Sequence, residues 1–307
     1  MNYMFIVNKH SGDGFGQKEL SRMENYFKKS IGSFEYVMPE NREDAVKITR
    51  KLLKKDVDRI VAVGGDGTIN AIVNGFFENG KIIREDAALI VTEAGSGCDY
   101  YKSVARGSTV QAWMELVTNC TPKSVDVGVI RYKDDARGDR YFLNMASIGM
   151  IADVVRIKEK QAAYVPKMLR YNIPTIWCLF ACKSHELEIE TIEKSFHVEA
   201  LAVSIAKGRY AGGGMQFGLD VLLDDGMFEV TIFEKTGPIS MALKLGKLYK
   251  GDYRHVPGIR KEKTSRITFR SKKPVQCEFD GDVYGTTDLT MTVLPKALKV
   301  CFPNQAT

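Results

Sequence analysis

No stretch of the sequence is apolar for long enough to cross a bilayer. The longest such run, Ile173 to Cys182, is interrupted by Pro174, whereas a spanning helix needs roughly 20 consecutive apolar residues. The opening residues, Met1 to Val7, carry no basic segment followed by a long apolar core, so no signal peptide is expected. The six cysteines (Cys98, Cys120, Cys178, Cys182, Cys277 and Cys301) form no CxxC pair and show no zinc spacing. That excludes a zinc module and argues against a disulfide framework, leaving buried thiols in a reducing cytoplasm as the expectation. Repeats and low-complexity tracts are also missing. With 44% hydrophobic and 27% charged residues the chain has the composition of a folded globular protein, since disorder requires fewer apolar groups. Its 307 residues exceed what one core usually serves, so two domains are expected.

The net charge of +6 is unevenly spread. Between Lys244 and Lys273 there are eleven Lys or Arg against only Asp252 and Glu262, a local +9. Such a stretch suits an anionic membrane surface or nucleotide phosphates, and equally suits a solvated basic face. Aromatic residues are sparse within it, so nucleic acid is not an expected partner.

Up to about residue 122 the pattern alternates strand and helix. Tyr3 to Val7, Arg59 to Val63 and Ala87 to Val91 are short apolar strands; Leu20, Met23 and Phe27 stripe one helix, and Ala45, Ile48 and Leu52 another. From Thr68, the positions Ile69, Ile72, Val73, Phe76 and Phe77 follow helical spacing, as do Val110, Trp113, Met114 and Val117. Strands alternating with helices imply a mainly parallel sheet covered on both faces, that is, an α/β domain. After Pro122, strands dominate: Val125 to Tyr132, Tyr141 to Ala146, Glu186 to Glu190, Val198 to Ile205, Met227 to Phe233, Arg266 to Arg270 and Leu289 to Leu294. Helical patterns persist near Lys158 to Arg170 and Ile239 to Tyr249. The expectation is an α/β domain over 1–122 and a mostly antiparallel β-sandwich over 123–307.

The strongest local signal is Val61-Ala62-Val63-Gly64-Gly65-Asp66-Gly67-Thr68-Ile69-Asn70. An apolar strand runs through three glycines directly into an amphipathic helix. Glycine lets the backbone approach a phosphate closely, and the helix start offers N–H groups to anionic oxygens. Thr68 suits a cap or a phosphate donor. Asp66 has no apolar role in such a loop and suits catalysis or organisation of Mg2+. Asp224 and Asp225 fall in a turn before a strand, where Asp is common for conformational reasons. Asp280 and Asp282, two residues apart on a segment read as extended, would point to one side and suit metal coordination and proton acceptance.

The GGDGT stretch resembles the superfamily of diacylglycerol, sphingosine, ceramide and NAD kinases and phosphofructokinases. The rest of the chain is similar to its lipid-kinase branch, the bacterial diacylglycerol-kinase-like proteins. Asn8-Lys9-His10-Ser11-Gly12 resembles that branch's NPxSG, with Lys9 in place of proline. Gly64 to Gly75 resembles GGDGTxNEVxNG, with Ala71 in place of glutamate, and Ala94 to Tyr100 sits where the family has a GTGNDF-type stretch. There, Cys98 replaces an asparagine and Glu93, just ahead of the stretch, a proline. Gly208 to Val230 resembles a glycine-rich run closing on DDG, and Glu278-Phe279-Asp280-Gly281-Asp282 resembles the terminal DGE. Ser147 to Val154 looks more like the sphingosine-kinase version, in which the Asp matching Asp153 contacts the lipid's polar head; a capping or exposed acid is the alternative.

The resemblance implies an ATP-dependent lipid kinase that uses Mg2+. Nucleotide phosphates would lie against Asn8, Ser11, Gly12, Gly64, Gly65, Gly67, Thr68, Gly95, Ser96 and Gly97. Asp99 and Asp153 would meet the acceptor, in a cleft between the domains, and the Asp224–Asp225 stretch would help to hold a structural Mg2+. Asp280 and Asp282 would serve a catalytic Mg2+, with either Asp66 or Asp282 as proton acceptor. The acceptor would be a lipid hydroxyl, diacylglycerol-like or sphingoid-like, and the protein cytoplasmic but peripheral at the membrane; a homodimer is compatible with this. The alternatives are a kinase of a soluble substrate such as NAD and a non-catalytic nucleotide- or lipid-binding homologue.

Overall fold

The structure, a computed structural model, describes residues 1–9, 11, 19–94, 98–105, 109–133, 138–161, 172–181 and 183–304. The chain divides into two units, Met1–Val127 with Pro295–Thr307, and Gly128–Leu294.

In the first unit the elements in chain order are β1 (Tyr3–Val7), α1 (Leu20–Ser30), β2 (Tyr36–Val37), α2 (Arg42–Leu53), β3 (Arg59–Val63) and α3 (Asp66–Phe76). A small hairpin, β4 (Phe77–Glu78) and β5 (Lys81–Ile82), precedes β6 (Ala88–Val91), α4 (Asp99–Val104), α5 (Val110–Thr118) and the start of β7 (Cys120–Tyr132). The sheet is parallel, with β1 flanked by β2 and β3, and β3 followed by β6. Its strands are fully buried from Phe5 to Val7, Ile60 to Val63 and Ala88 to Val91, as expected when helices cover both faces. Pro122 lies inside β7 rather than at a break, and the chain's last strand returns to this unit, where Lys299 and Val300 pair in parallel with Ala88 and Leu89. Hydrophobic pattern alone does not reveal that return, because it rests on a partner far away in sequence.

Helix α2 shows how packing refines the pattern. Its most buried residues are Ala45, Thr49 and Leu53, so the face is rotated one position from the Ala45, Ile48 and Leu52 stripe. The reason lies in α3. A Cβ placed on Gly75 would stand 2.4 Å from the Thr49 Cβ and 3.0 Å from the Val46 carbonyl oxygen. The two helices approach at a glycine, and the small, buried Thr49 faces it, its hydroxyl donating to the Ala45 carbonyl. Asn41 caps α2 by accepting from the Asp44 N–H.

In the second unit the elements are β8 (Arg140–Phe142), β9 (Met145–Gly149), α6 (Met150–Gln161), α7 (Asn172–Ala181), β10 (His185–Thr191) and β11 (Ser195–Ala206). A short pair, β12 (Tyr210–Ala211) and β13 (Met215–Gln216), leads to β14 (Phe228–Glu234), α8 (Pro238–Lys250), β15 (Ile259–Thr264), β16 (Arg266–Arg270), β17 (Gln276–Phe279), β18 (Asp282–Thr286) and the first part of β19 (Leu289–Pro303). The pairings are antiparallel throughout. One core gathers Phe142, Ile148, Ile189, Ile205, Phe228 and Phe269 from six strands. A second packs Met150, Val154, Cys178, Met241 and Leu248 of the three helices against Ala202 and Phe233. The α/β first domain and antiparallel second domain expected from the sequence are both present. Strand β15 escaped the pattern because Ile259-Arg260-Lys261-Glu262-Lys263-Thr264 is nearly all charged; its register against β14 makes it a strand.

Replacing Gly75 by Ala tests the helix contact beneath the glycine loop. Ala is favoured over Gly in a helix interior by about 1 kcal/mol, yet overpacking typically costs about 1–3 kcal/mol. Urea unfolding of Gly75→Ala should therefore show a net loss of stability, partly restored by adding Thr49→Ala. A variant as stable as the parent would show that the helices separate without cost.

Candidate functional site: the glycine loop and its neighbours

The first unit brings three of the sequence motifs together. Strand β3 ends at Gly64, and Gly65, extended at φ −89° and ψ −175°, stands at the N-cap of α3. As a glycine it supplies no side-chain cap, so the helix start presents its N–H groups and positive dipole end to an anion. The first turn closes through the Thr68 and Ile69 N–H groups, which donate to the Gly65 carbonyl at 2.9 and 3.1 Å. Gly64 is required for a different reason. A Cβ there would fall 2.4 Å from the Thr68 hydroxyl oxygen and 2.5 Å from its Cβ. Only glycine lets Thr68 fold back over the loop, where its hydroxyl accepts from the Asn8 amide at 2.9 Å.

Asn8 also donates its backbone N–H to the Val63 carbonyl at 2.9 Å, continuing the β1–β3 register into the loop. Ser11 donates its N–H to the Asn8 carbonyl and its hydroxyl to the Ala94 carbonyl, the latter at 2.6 Å. Asn8 and Ser11, residues 64–68, and Ala94 with residues 98–100 therefore meet at one place. His10, Gly12, Gly95, Ser96 and Gly97 lie outside the described residues.

Asp66 is the tie between two helices. It is the first residue of α3, yet its carboxylate oxygens accept from the Asp99 and Tyr100 N–H groups at 3.2 and 3.3 Å. Those two N–H groups belong to the first turn of α4, which its own N-cap, Cys98, does not serve. One carboxylate thus caps a helix from a distant segment. Cys98 is buried, left-handed at φ 44°, with its thiol 3.8 Å from the Gly64 carbonyl. Asparagine is among the residues best suited to that conformation, which accounts for the family's choice; here a small buried thiol fills the place.

Asp99, expected at the acceptor, is instead buried and held by Lys102 at 2.7 Å within α4. Burial opposes the charge on Lys102, but the Asp99 carboxylate outweighs it and holds its ammonium above the usual lysine value. Ala71, in place of the family's glutamate, is buried in α3. Sequence reading missed Arg42 at the start of α2, whose guanidinium lies 3.0 Å from where a Cβ on Gly67 would be. It is the cation nearest that part of the loop among the described contacts of Gly67. Nothing in its local sequence marks it, because α2 and the loop meet only in the fold.

In the second unit the acids do not form the expected pair. Asp280 and Gly281, with φ 47° and 82°, form the two-residue turn of the β17–β18 hairpin, which closes at Phe279 opposite Asp282. The two acids therefore do not share one face of an extended segment. Asp280 is buried and its carboxylate accepts the N–H groups of Leu143, Asn144 and Met145, each at 3.0 Å. It organises backbone, its two oxygens shared among three N–H donors. Asp282 is half-buried at the head of β18. The neighbouring Glu278, quoted above only as part of a motif, is buried and accepts from the Ser147 hydroxyl at 2.7 Å and the Gly281 N–H at 3.1 Å.

Asp153, in the first turn of α6, pairs with Arg156 at 3.0 Å. Asp224 is exposed, and Asp225 pairs with Lys207 at 3.1 Å. Among the described residues, no three His, Cys, Asp or Glu side chains are grouped as a metal site. In the Asp224–Asp225 stretch, expected to help hold a structural Mg2+, Asp225 thus faces a lysine ammonium. Cys98, Cys120, Cys178, Cys277 and Cys301 are free thiols, and Cys182 lies outside the described residues.

Five of the eleven cations in the basic stretch meet acids from outside it. Arg254 pairs with Asp220, Arg260 with Glu234, Lys261 with Glu229, Arg270 with Glu188 and Glu190, and Lys272 with Glu186. Lys244 is buried, which pushes its pKa down. Counting along the chain overstated the field because each neutralising acid is remote in sequence.

Glu93, beside the loop, offers a pH test. Burial pushes its carboxyl above the ordinary range, with Lys102 opposing, and its Oε2 is buried without a hydrogen bond. A raised folded-state pKa means that the stabilisation is complete below the unfolded value of about 4.3 and is lost as pH rises through the folded value. Glu93→Gln should thus raise the melting temperature at neutral pH and leave it nearly unchanged near pH 4. Equal shifts at both pH values would show that the carboxyl is not perturbed.

Comparison with known proteins bears on the same segments. A model of the diacylglycerol kinase catalytic domain matches residues 2–130, and one of the YegS C-terminal NAD kinase beta sandwich-like domain matches residues 144–302. A protein named diacylglycerol kinase from Staphylococcus haemolyticus (strain JCSC1435) is 26% identical over 264 residues, 86% of this chain and 77% of that one. Another, from Staphylococcus aureus (strain JH9), is 24% identical over 299 residues, 97% of this chain and 91% of that one. A solved structure from Bacillus anthracis str. Sterne, provisionally named a diacylglycerol kinase, superposes with a TM-score of 0.81 at 23% identity, covering 100% of this chain and 98% of that one; at that identity it establishes the fold. Since the second model alone spans more than half of the sequence, the chain belongs to the diacylglycerol kinase/YegS-like lipid kinase family, and it is a kinase of that family.

Proposed function

We propose that the protein transfers the γ-phosphoryl group of ATP to the hydroxyl of a lipid alcohol. The observation that carries this reading is the convergence of Asn8 and Ser11, the Gly64–Thr68 loop and the Cys98–Tyr100 segment, the last held to the loop by the Asp66 carboxylate. Phosphoryl transfer asks mainly for positioning and charge stabilisation. The triphosphate would lie over the uncapped start of α3, with Arg42 beside Gly67 as a cation able to meet it. Bound Mg2+ would neutralise phosphate charge. Of the acids considered for it, Asp280 already accepts three backbone N–H groups and Asp225 already pairs with Lys207, which favours Asp66 and Asp282. Asp66 is committed to the α4 amides, so Asp282 is the better proton acceptor.

A lipid acceptor is supported by two helices of the second unit. Trp177 and Phe180 of α7 are 59% and 71% exposed, and Ile239 and Leu243 of α8 are 77% and 71% exposed. Exposed Lys247 and Lys250 continue α8. Large apolar side chains in water, with lysines alongside, suit the interface of an anionic bilayer. The run from Pro174 to Phe180 thus serves the surface as well as the core, where Cys178 is buried.

The direct experiment is transfer of label from ATP to a panel of diacylglycerol, ceramide, sphingosine, phosphatidylglycerol and NAD. A labelled lipid is expected; label on NAD alone would favour a soluble acceptor, and ATP binding with no transfer would favour a binding protein. Asp282→Asn should lower kcat by on the order of a hundredfold or more with ATP binding retained. In Asp66→Asn an amide NH2 would face an N–H donor, so KM for ATP should rise as well. Near-normal turnover in Asp282→Asn would assign the proton elsewhere.

Binding to anionic vesicles should fall about tenfold or more when Trp177, Phe180, Ile239 and Leu243 are changed to Ser, given roughly 1.5–3 kcal/mol for burying each large apolar side chain. Lys261, Lys263, Lys272 and Lys273 changed together to Gln should matter much less. The reverse ranking would return membrane binding to the basic stretch.

A further inference from the structure

The loop between β13 and β14 is built around a cation that belongs to the chain itself. Lys207 follows directly on the apolar strand β11 and is fully buried at 0% exposure. Its ammonium donates to the Leu222 carbonyl at 2.8 Å, the Met227 carbonyl at 2.9 Å and an Asp225 carboxylate oxygen at 3.1 Å. An ammonium has three N–H donors, and three oxygens from one short turn meet it. The same Asp225 oxygen accepts the Met227 N–H at 3.1 Å, so the carboxylate both faces the cation and closes the turn. Gly226, at φ 72°, lets the backbone reverse between the two oxygen donors.

The rest of the loop is fastened independently. The Glu229 carboxylate accepts the Leu219 and Asp220 N–H groups at 3.2 and 2.7 Å, and the Gly218 N–H donates to the Arg209 carbonyl. Lys207 itself is fixed by its backbone, whose N–H donates to the Asn144 carbonyl at 2.8 Å. The ammonium therefore has a defined position and a defined oxygen cage: two carbonyls and one carboxylate at residues 222, 225 and 227.

A ring of carbonyl and carboxylate oxygens on one turn is the donor set that hard divalent cations take. Magnesium would need those oxygens at about 2.0–2.1 Å, and the ammonium stands where the ion would be. Two cations cannot share the cage, because buried charge must be paired with charge of opposite sign. We propose that Lys207 replaces a structural divalent cation in this protein, so that the 222–227 turn folds without metal. The replacement is intramolecular, and the turn's order is then insensitive to metal concentration. Any divalent ion used in catalysis is a separate matter and is bound elsewhere.

Hydrogen exchange over residues 219–228 tests this without reference to activity. In the full-length protein without nucleotide, protection of this segment should be the same in excess chelator and in millimolar Mg2+, to within about twofold. Lys207→Ala, which empties the cage, should exchange about tenfold or more faster in chelator. Mn2+, used as the probe ion, should restore protection to the variant but not alter the parent. Faster exchange of the parent in chelator would overturn the proposal, as would a variant protected like the parent in chelator. The chelator arm on the parent decides the point even if the variant does not fold.

Discussion

The carboxylate of Asp66 holds the candidate site together. It sits at the first position of one helix and accepts the first-turn N–H groups of another, across 33 and 34 residues of sequence. A helix start without its own cap has N–H groups that must find acceptors, and Cys98 provides none for α4. Asp66 therefore fixes α4 against the glycine loop. The other contacts depend on that arrangement. Thr68 folds back because Gly64 has no side chain, Asn8 ties Thr68 to β1, and Ser11 reaches the Ala94 carbonyl. An acid with no evident local partner in the sequence turns out to be the one that links the glycine loop to α4.

The features legible in the sequence were those written locally. A strand, three glycines and an amphipathic stripe in immediate succession specified the β3–loop–α3 unit, and alternation specified β10 and β14. What the sequence hid depended on remote partners. Asp280 reads like a site acid beside Asp282 until the hairpin turn places it under three N–H groups of residues 143–145. The charge between Lys244 and Lys273 reads like a basic patch until acids from β10 and β14 and from Asp220 are laid across it. Arg42 and Lys102 carried no motif; one reaches the loop through the fold and the other acts through its pairing with Asp99. Pro122 reads like a boundary, but it lies in a strand long enough to carry the chain from one unit into the next.

The distribution of acids also separates two kinds of work. Asp280, Asp225, Glu229 and Glu278 each hold backbone or a neighbouring hydroxyl, and so set the shape of the second unit. Asp282 follows the Asp280–Gly281 turn at the head of β18. Buried carboxylates satisfied by N–H donors are costly to disturb, which suits them to carrying a reactive group rather than being one. On the outside of the same unit, α7 and α8 expose Trp177, Phe180, Ile239 and Leu243, the surface on which the proposal of a lipid acceptor rests.

The account rests on the glycine loop being a triphosphate site, and the most direct measurement is a crystal structure with a non-hydrolysable ATP analogue. The β- and γ-phosphate oxygens should lie against the N–H groups of the Gly64–Thr68 stretch, with the Arg42 guanidinium in reach and the Asp66 contacts to Asp99 and Tyr100 preserved. A triphosphate bound away from this stretch, or one that enters only by displacing Asp66 from the α4 amides, would contradict it.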